Sequence, residues 1–295
     1  LAHLLRLVAW SAPVLECLGV TLPAISARVT TQQKDRKTRM SEVLDYSLMV
    51  APNGARRTSA EHPSLPVTAA DLALTARACQ SEGATAIHVH VRDNQERHSL
   101  DAGRYREAIA AIAESAPGLG VQITTESAGL YQPAEQLACL TNLRPGAASI
   151  AVREMATDPS IAKTTYAFAH EASIEVQHIV YTPGCISQLL AWREAGLVRP
   201  EQCHVLVVLG QYAPPRDAAP ADLDPLALGL KGHGLPLSVC AFGRNEHLCL
   251  RDAAARGYGV RLGFENSVCD AQGVLHRDNA ASVRAYRKQL SAVVL

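Results

Sequence analysis

At 295 residues, with 48% hydrophobic and 19% charged residues, the chain is large enough to bury a sizeable core as one α/β domain. Lysine plus arginine and aspartate plus glutamate both number 28, giving a formal net charge of zero, and aromatics are only 4%. That balance argues against a protein that grips a phosphate backbone or stacks bases, and so against a nucleic-acid partner.

Eight cysteines occur without a C-x-x-C pair, several of them inside apolar runs (Cys79, Cys139, Cys240). Buried free thiols in a reducing, cytoplasmic setting fit that pattern better than a disulfide framework. Residues 1–40 differ in character from the rest of the chain. Residues 1–29 are apolar, but Arg6, Glu16 and two prolines break the run before a membrane-spanning length accumulates, and TTQQKDRKTR at 30–39 is polar, so no membrane association is expected. A charged n-region and a clean cleavage site are also missing. We expect residues 1–40 to be a non-domain N-terminal extension from a mis-called start, with a divergent targeting segment as the alternative. The domain is expected over residues 41–295.

From residue 46, short apolar runs alternate with helix-like stretches, at 46–51, 86–91, 120–125, 148–152, 174–181, 204–210, 237–243 and 259–265. Thr68 and Asp71 form a candidate capping box for a helix that stops at Gly83, and Asp101 opens the next one. A helix over 187–195 ends at Gly196 with Pro200 beyond, and the last helix starts near Asn279. Eight strands in strict alternation with helices predict a single (β/α)8 TIM barrel around a closed parallel sheet. An open doubly wound sheet would carry G-x-G-x-x-G after its first strand, and PNGARRT at 52–58 is not that motif.

Ile87-His88-Val89-His90-Val91 is the most informative pentapeptide. Strand side chains alternate, so His88 and His90 share one face, spaced to grip one divalent metal, zinc in the first place. The alternative is two core histidines satisfied by hydrogen bonds. In a barrel, even-numbered strands supply the same inner layers, and the eighth strand places Arg261, Gly263 and Glu265 on one face. Glu265 is therefore the expected third ligand, although an ordinary loop carboxylate is the simpler reading of a single Glu. Two neutral imidazoles and one carboxylate leave a net positive, open site suited to a chelating substrate. Arg261 points into the same mouth, either to fork a substrate carboxylate or to pair with an acid such as Glu265. Asp93 is expected in the loop behind the ligands.

These segments resemble the β-keto acid cleavage enzymes, over roughly residues 46–290. The resemblance rests on N-G-A at 53–55, H-P-x-L-P-x-T from His62 to Thr68, and G-A-x-x-I-H-V-H-V-R-D from Gly83 to Asp93. V-R-L-G-F-E at 260–265, G-R at 243–244 and Asn279 complete it. It implies a zinc barrel that uses acetyl-CoA to convert a β-keto acid into acetoacetate and a new acyl-CoA. The implied ligands are His88, His90 and Glu265, with Arg261 orienting substrate. The expected partners are the β-keto acid, the acyl-CoA and further copies of the chain in a homo-oligomer.

Four departures stand out. The acid that follows the metal Glu in many members is Asn266 here, and a neutral amide cannot take a proton. Thr124-Thr125-Glu126-Ser127 replaces S-T-G-G after the third strand. Arg56 stands where the family has a carboxylate, and GQYAPPRDAA replaces a glycine-rich stretch after the sixth strand. Gln122, Thr124 and Glu126 alternate onto one face beside the metal strand, which makes Glu126 a candidate general base. It would otherwise orient substrate or pair with Arg153 or Arg261. The expected catalytic set is Arg261, Glu126, Thr124 and Asn266, with Asn53, Arg56, Thr125 and Arg244 on the substrate. An amidohydrolase-like hydrolase would place H-x-H on the first strand and a metal histidine on the fifth, where His178 lies. A metabolite-binding barrel that keeps its metal without catalysis is the non-enzymatic alternative.

Overall fold

The structure, a computed structural model, describes residues 44–291, so the extension expected over residues 1–40 lies outside the described residues. In chain order the strands are β1 (Leu48–Val50), β2 (Ala86–Val89), β3 (Val91–Arg92), β4 (His98–Ser99) and β5 (Gly120–Thr124). They continue with β6 (Ala147–Ala151), β7 (Glu175–Val180), β8 (His204–Leu209), β9 (Leu237–Ala241) and β10 (Gly259–Leu262). The helices are α1 (Ala69–Ser81), α2 (Ala102–Ser115), α3 (Pro133–Leu143), α4 (Val152–Met155) and α5 (Pro159–Glu171). After them come α6 (Pro183–Glu194), α7 (Leu223–Leu230), α8 (Glu246–Ala255) and α9 (Asn279–Ser291).

Eight strands close in the order β1-β10-β9-β8-β7-β6-β5-β2, all neighbours parallel. The fold is a (β/α)8 TIM barrel. Local chemistry starts its helices where the sequence indicates. Thr68 and Asp71 form both halves of a capping box on α1, and Asp101 accepts from Arg104 N at 2.8 Å to open α2. The α6 helix begins at Pro183, earlier than the expected 187, because Thr182 caps it and proline suits its first turn.

Alternation sorts the strand residues into two populations. Ile87, Val89, Ile123, Val176, Val205 and Val207 join the large core shared with the helices. Their neighbours point inward, where Ala151, Ile179, Leu206, Val208 and Cys240 form a separate apolar cluster. His178 belongs to the outward set: its Nε2 lies 2.9 Å from Gln202 O and its Nδ1 3.3 Å from the Tyr166 hydroxyl. It is a satisfied core histidine between barrel and helices, which removes the main support for the amidohydrolase-like reading.

The barrel strands end one to three residues before the expected bounds, and two of these ends shape the site. β2 stops at Val89, and after His90 the chain forms an antiparallel ribbon in which Val91 faces Ser99 and Arg92 faces His98. β10 stops at Leu262, because Gly263 turns the chain at φ 135° against Ala51 O, where a Cβ would come within 2.5 Å. Among the described residues, no helix is long and apolar enough to cross a membrane.

Candidate active site

His88 and His90 are fully buried, and their Nε2 atoms lie 3.0 Å apart. Glu265 Oε2 stands 3.8 Å from His88 Nε2 and 3.6 Å from His90 Nε2. One ligand atom from each of the three residues falls within 4.8 Å of the others. Glu265 arrives by a route the alternation pattern does not describe. It sits in the turn after β10, and that turn brings its Oε1 to 3.0 Å from Arg261 Nη2.

These residues fit a divalent metal. Gln122 Nε2 donates to Gln177 Oε1 at 3.2 Å, so Gln122 Oε1 is the acceptor that faces His88 Nδ1 at 2.8 Å. His88 must then carry its proton on Nδ1, which leaves Nε2 with a free lone pair. Glu265 Oε2 is buried and has no hydrogen-bond partner among the described residues, an expensive state for a carboxylate oxygen without a cation. Two imidazoles and a carboxylate are a common donor set for zinc with open positions.

Separate segments hold the trio in place. Asn53 Nδ2 donates to His90 O at 2.8 Å and to Pro66 O at 3.0 Å, pinning the second histidine's backbone. Arg92 donates to Ala55 O at 3.1 Å and to the carbonyl of Gly54, tying the loop after β1 to the metal strand. Gly54 is left-handed at φ 62°, and a Cβ there would lie 2.5 Å from Glu265 Cγ. The glycine of the N-G-A stretch therefore vacates the space that the ligand's side chain fills. On the other side, Glu246 Oε1 accepts from Gly263 N at 3.0 Å, and Asn279 Oδ1 accepts from Phe264 N at 2.9 Å. Asn279 Nδ2 also donates to Pro52 O at 3.1 Å, so one amide joins the turns after β1 and β10.

Electrostatics favour a charged Glu265 and a neutral His88. Burial, followed by the Arg261 charge, holds His88 well below the ordinary histidine value. Burial pushes the Glu265 carboxyl up, but Arg261 and the two histidines outweigh it and keep the group well below the usual carboxylate range. Arg261 is itself opposed by burial and held cationic by Glu265.

Above the trio lies a cavity of about 320 Å³, of a size that receives small ligands. Arg261, Glu126, Thr124, Asn53 and Arg56 all line it, as do His88 and Glu265. Thr124 Oγ1 accepts from Glu126 N at 2.9 Å. Glu126 faces Arg56, at 4.0 Å, rather than Arg153 or Arg261. Three other expected residues stand behind the wall. Thr125 is buried and donates to Ser149 O at 2.9 Å, and Arg244 is exposed and paired with Asp217 at 3.3 Å. Asn266 is buried, with both side-chain amide atoms unpartnered among the described residues, and its carbonyl accepts from Gly243 N at 3.2 Å. Asp93 is a loop residue paired with Arg97 at 2.7 Å. The loop after β8 contributes Gly210, Gln211, Tyr212 and Arg216 to the wall. Gln122, Glu246, Tyr181 and the loop-clamping role of Arg92 have no motif that announces them.

The profile of the β-keto acid cleavage enzyme family matches residues 46–293, spanning the whole barrel. The chain belongs to that family. Cleavage of a β-keto acid is therefore the class of reaction it carries. It is 26% identical over 237 residues to the 3-keto-5-aminohexanoate cleavage enzyme of Fusobacterium nucleatum subsp. nucleatum, covering 78% of this chain and 85% of the relative. It is 25% identical over 248 residues to the 3-oxoadipate:acetyl-CoA acetyltransferase of Cupriavidus necator, covering 80% and 85%. Among solved structures, the binary complex of ObcA with oxaloacetate superposes with a TM-score of 0.65 at 14% identity. That match covers 79% of this chain and 64% of the ObcA chain, and it speaks for the fold alone.

Proposed function

We propose that this β-keto acid cleavage enzyme is zinc-dependent and uses acetyl-CoA, releasing acetoacetate and a new acyl-CoA. The observation that carries this reading is the His88, His90 and Glu265 trio, of which His88 and Glu265 line one cavity together with Arg261. The names of the relatives support acetyl-CoA as the second substrate. In balance, the acyl group R–CO leaves the CH2–COO⁻ unit for the CoA sulfur, and the acetyl group of acetyl-CoA takes its place on that carbon. When bound at the trio, a divalent ion supplies Lewis acidity that polarises a carbonyl oxygen.

The chain's own residues do the rest. Arg261 spends one N–H on Glu265 Oε1, aiming Oε2 at the histidines, while its Nε has no partner among the described residues. Its remaining donors suit a substrate carboxylate. Glu126 is the carboxylate of the wall not committed to the trio, and we assign it the proton on the carbon between the keto and carboxyl groups. Thr124 fixes the backbone of Glu126, and Asn53 fixes that of His90. Arg56, beside Glu126, screens its charge and contacts substrate at the mouth. Thr125, Asn266 and Arg244 support the loops behind the wall. We place the enzyme in the cytoplasm, a reading supported by seven free cysteines among the described residues. Homo-oligomeric assembly belongs to the same reading, and sedimentation equilibrium checks it.

A panel of β-keto acids, incubated with and without acetyl-CoA, tests the proposal together with elemental analysis of the purified protein. Turnover that requires acetyl-CoA, with one zinc per chain, is the expected result. Full turnover without acetyl-CoA, or a metal-free active protein, would sink it.

A further inference from the structure

The trio and Arg261 occupy one side of the barrel. Their strands, β2 and β10, flank β1, and β7 stands diametrically opposite in the closed sheet. Tyr181, just after β7, lies on that far wall, and Arg153, at the start of α4, follows the adjacent β6, which only β5 separates from β2. The guanidinium of Arg153 lies over the Tyr181 ring, 3.6 Å from its centroid. Stacking of this kind holds the planar fork in place and leaves its in-plane N–H donors free for a carboxylate.

The other arginines of the cavity wall are matched to acids. Arg261 meets Glu265 at 3.0 Å, Arg216 meets Asp222 at 2.9 Å, Arg57 meets Glu61 at 3.5 Å and Arg56 meets Glu126 at 4.0 Å. Arg153 has neither a carboxylate within 4.0 Å nor a side-chain hydrogen bond among the described residues, although it lines the same cavity. From Arg261 round to Arg153 past β9, β8 and β7 the wall is apolar, made by Phe242, Val208 and Ile179, whereas past β5 it is lined by Thr124 and Glu126. A molecule anchored at the trio by one end thus meets a short hydrocarbon-lined stretch and then a pre-stacked, unmatched cation.

We propose that Arg153, stacked on Tyr181, makes this site selective for β-keto acids whose acyl group ends in a second carboxylate, a β-keto dicarboxylate with a short methylene spacer. The inference rests on the proposed β-keto acid reaction and specifies its substrate class. The keto acid end sits at the trio and Arg261, the spacer lies along Ile179, Val208 and Phe242, and the distal carboxylate takes the Arg153 fork. The new acyl-CoA then carries a free terminal carboxylate.

The test uses the metal-loaded full chain and two β-keto acids of equal length, one ending in a carboxylate and one in a methyl group. Each is varied at saturating acetyl-CoA, and acetyl-CoA is then varied at saturating keto acid. The wild type should favour the dicarboxylate in kcat/KM by about 10-fold to 100-fold, the range of a charge-assisted fork. Arg153→Met should erase most of that ratio through the KM for the dicarboxylate, and Arg153→Lys, which keeps charge without the fork, should restore part of it. A variant that raises the KM for acetyl-CoA equally with both acids would instead assign Arg153 to the CoA phosphates and overturn the proposal. So would a wild type with no preference. If neither acid turns over, the reaction reading fails by itself. Calorimetric titration of the two acids, without acetyl-CoA, then decides the selectivity: tighter dicarboxylate binding lost in Arg153→Met supports it, and equal binding overturns it.

Discussion

A site with only three protein ligands has no spare. His88→Ala or Glu265→Gln removes one of three, so bound metal should fall from one equivalent to a small fraction, read by elemental analysis after dialysis. Retention of a full equivalent by both variants would show that other groups hold the ion. Gln122 would reach a bound metal only through His88, and partners of this kind typically contribute about 10-fold to 100-fold in affinity. Gln122→Leu should weaken metal binding by that factor in competition with a chromophoric chelator. Gln122→Glu, which keeps an acceptor for His88 Nδ1, should lose much less. Glu126→Gln keeps shape and metal but cannot take a proton, so turnover should drop by about 10²-fold or more. Normal turnover would place the base elsewhere.

At the scale of elements, the turns after β1 and β10 decide whether the ligands meet. Gly54 and Gly129 are both left-handed, at φ 62° and 80°, but only Gly54 has Glu265 in the space of its missing Cβ. Alanine at either position should destabilise the fold by about 1–2 kcal/mol in a denaturant melt. Only Gly54→Ala should also lower bound metal. The β10 turn leans on Glu246 in α8, a carboxyl that burial pushes well above the ordinary value of 4.5, against the pull of the Gly263 N–H. The native state therefore keeps a proton that the unfolded chain releases above that value. This contribution to stability is present at low pH and is lost as pH rises toward the native-state value. Glu246→Gln keeps the acceptor and removes the titration. Its melting temperature should gain on that of the wild type as pH rises from about 5 to about 9. A gap that does not change with pH would mean that Glu246 titrates normally in the folded chain.

Across the whole molecule, what could be read from sequence divides by distance along the chain. The barrel strands begin near their apolar runs because periodicity of two is a local property, and the H-x-H pair shares a face for the same reason. The ends are less local. β2 gives way to the β3–β4 ribbon, and Gly263 bends the eighth barrel strand, so Glu265 reaches the histidines from a turn rather than along a pleat. Gln122, Asn279 and Glu246 serve the site from three other segments, and the pairing of β6 with β7, Ala151 beside Ile179, sets the Arg153 guanidinium over Tyr181. Thr125, Asn266 and Arg244 stand at positions that family motifs mark in the sequence, yet they do not line the cavity, because a motif fixes position along the chain and not the direction of a side chain. All eight barrel strands and the family match fall within residues 46–293, so a chain shortened to begin at Met40 should give a cooperative melt. Loss of that melt would bring residues before Met40 into the fold.

The most direct test tracks the acetyl group. Acetyl-CoA labelled with carbon-13 in its acetyl carbons is incubated with the metal-loaded protein and the best β-keto acid, and the products are read by mass spectrometry. Transfer predicts acetoacetate carrying both labelled carbons and an unlabelled new acyl-CoA, with the signal abolished in Glu265→Gln. Label that stays in acetyl-CoA or leaves as acetate, while the β-keto acid is consumed, would contradict acyl exchange at this site.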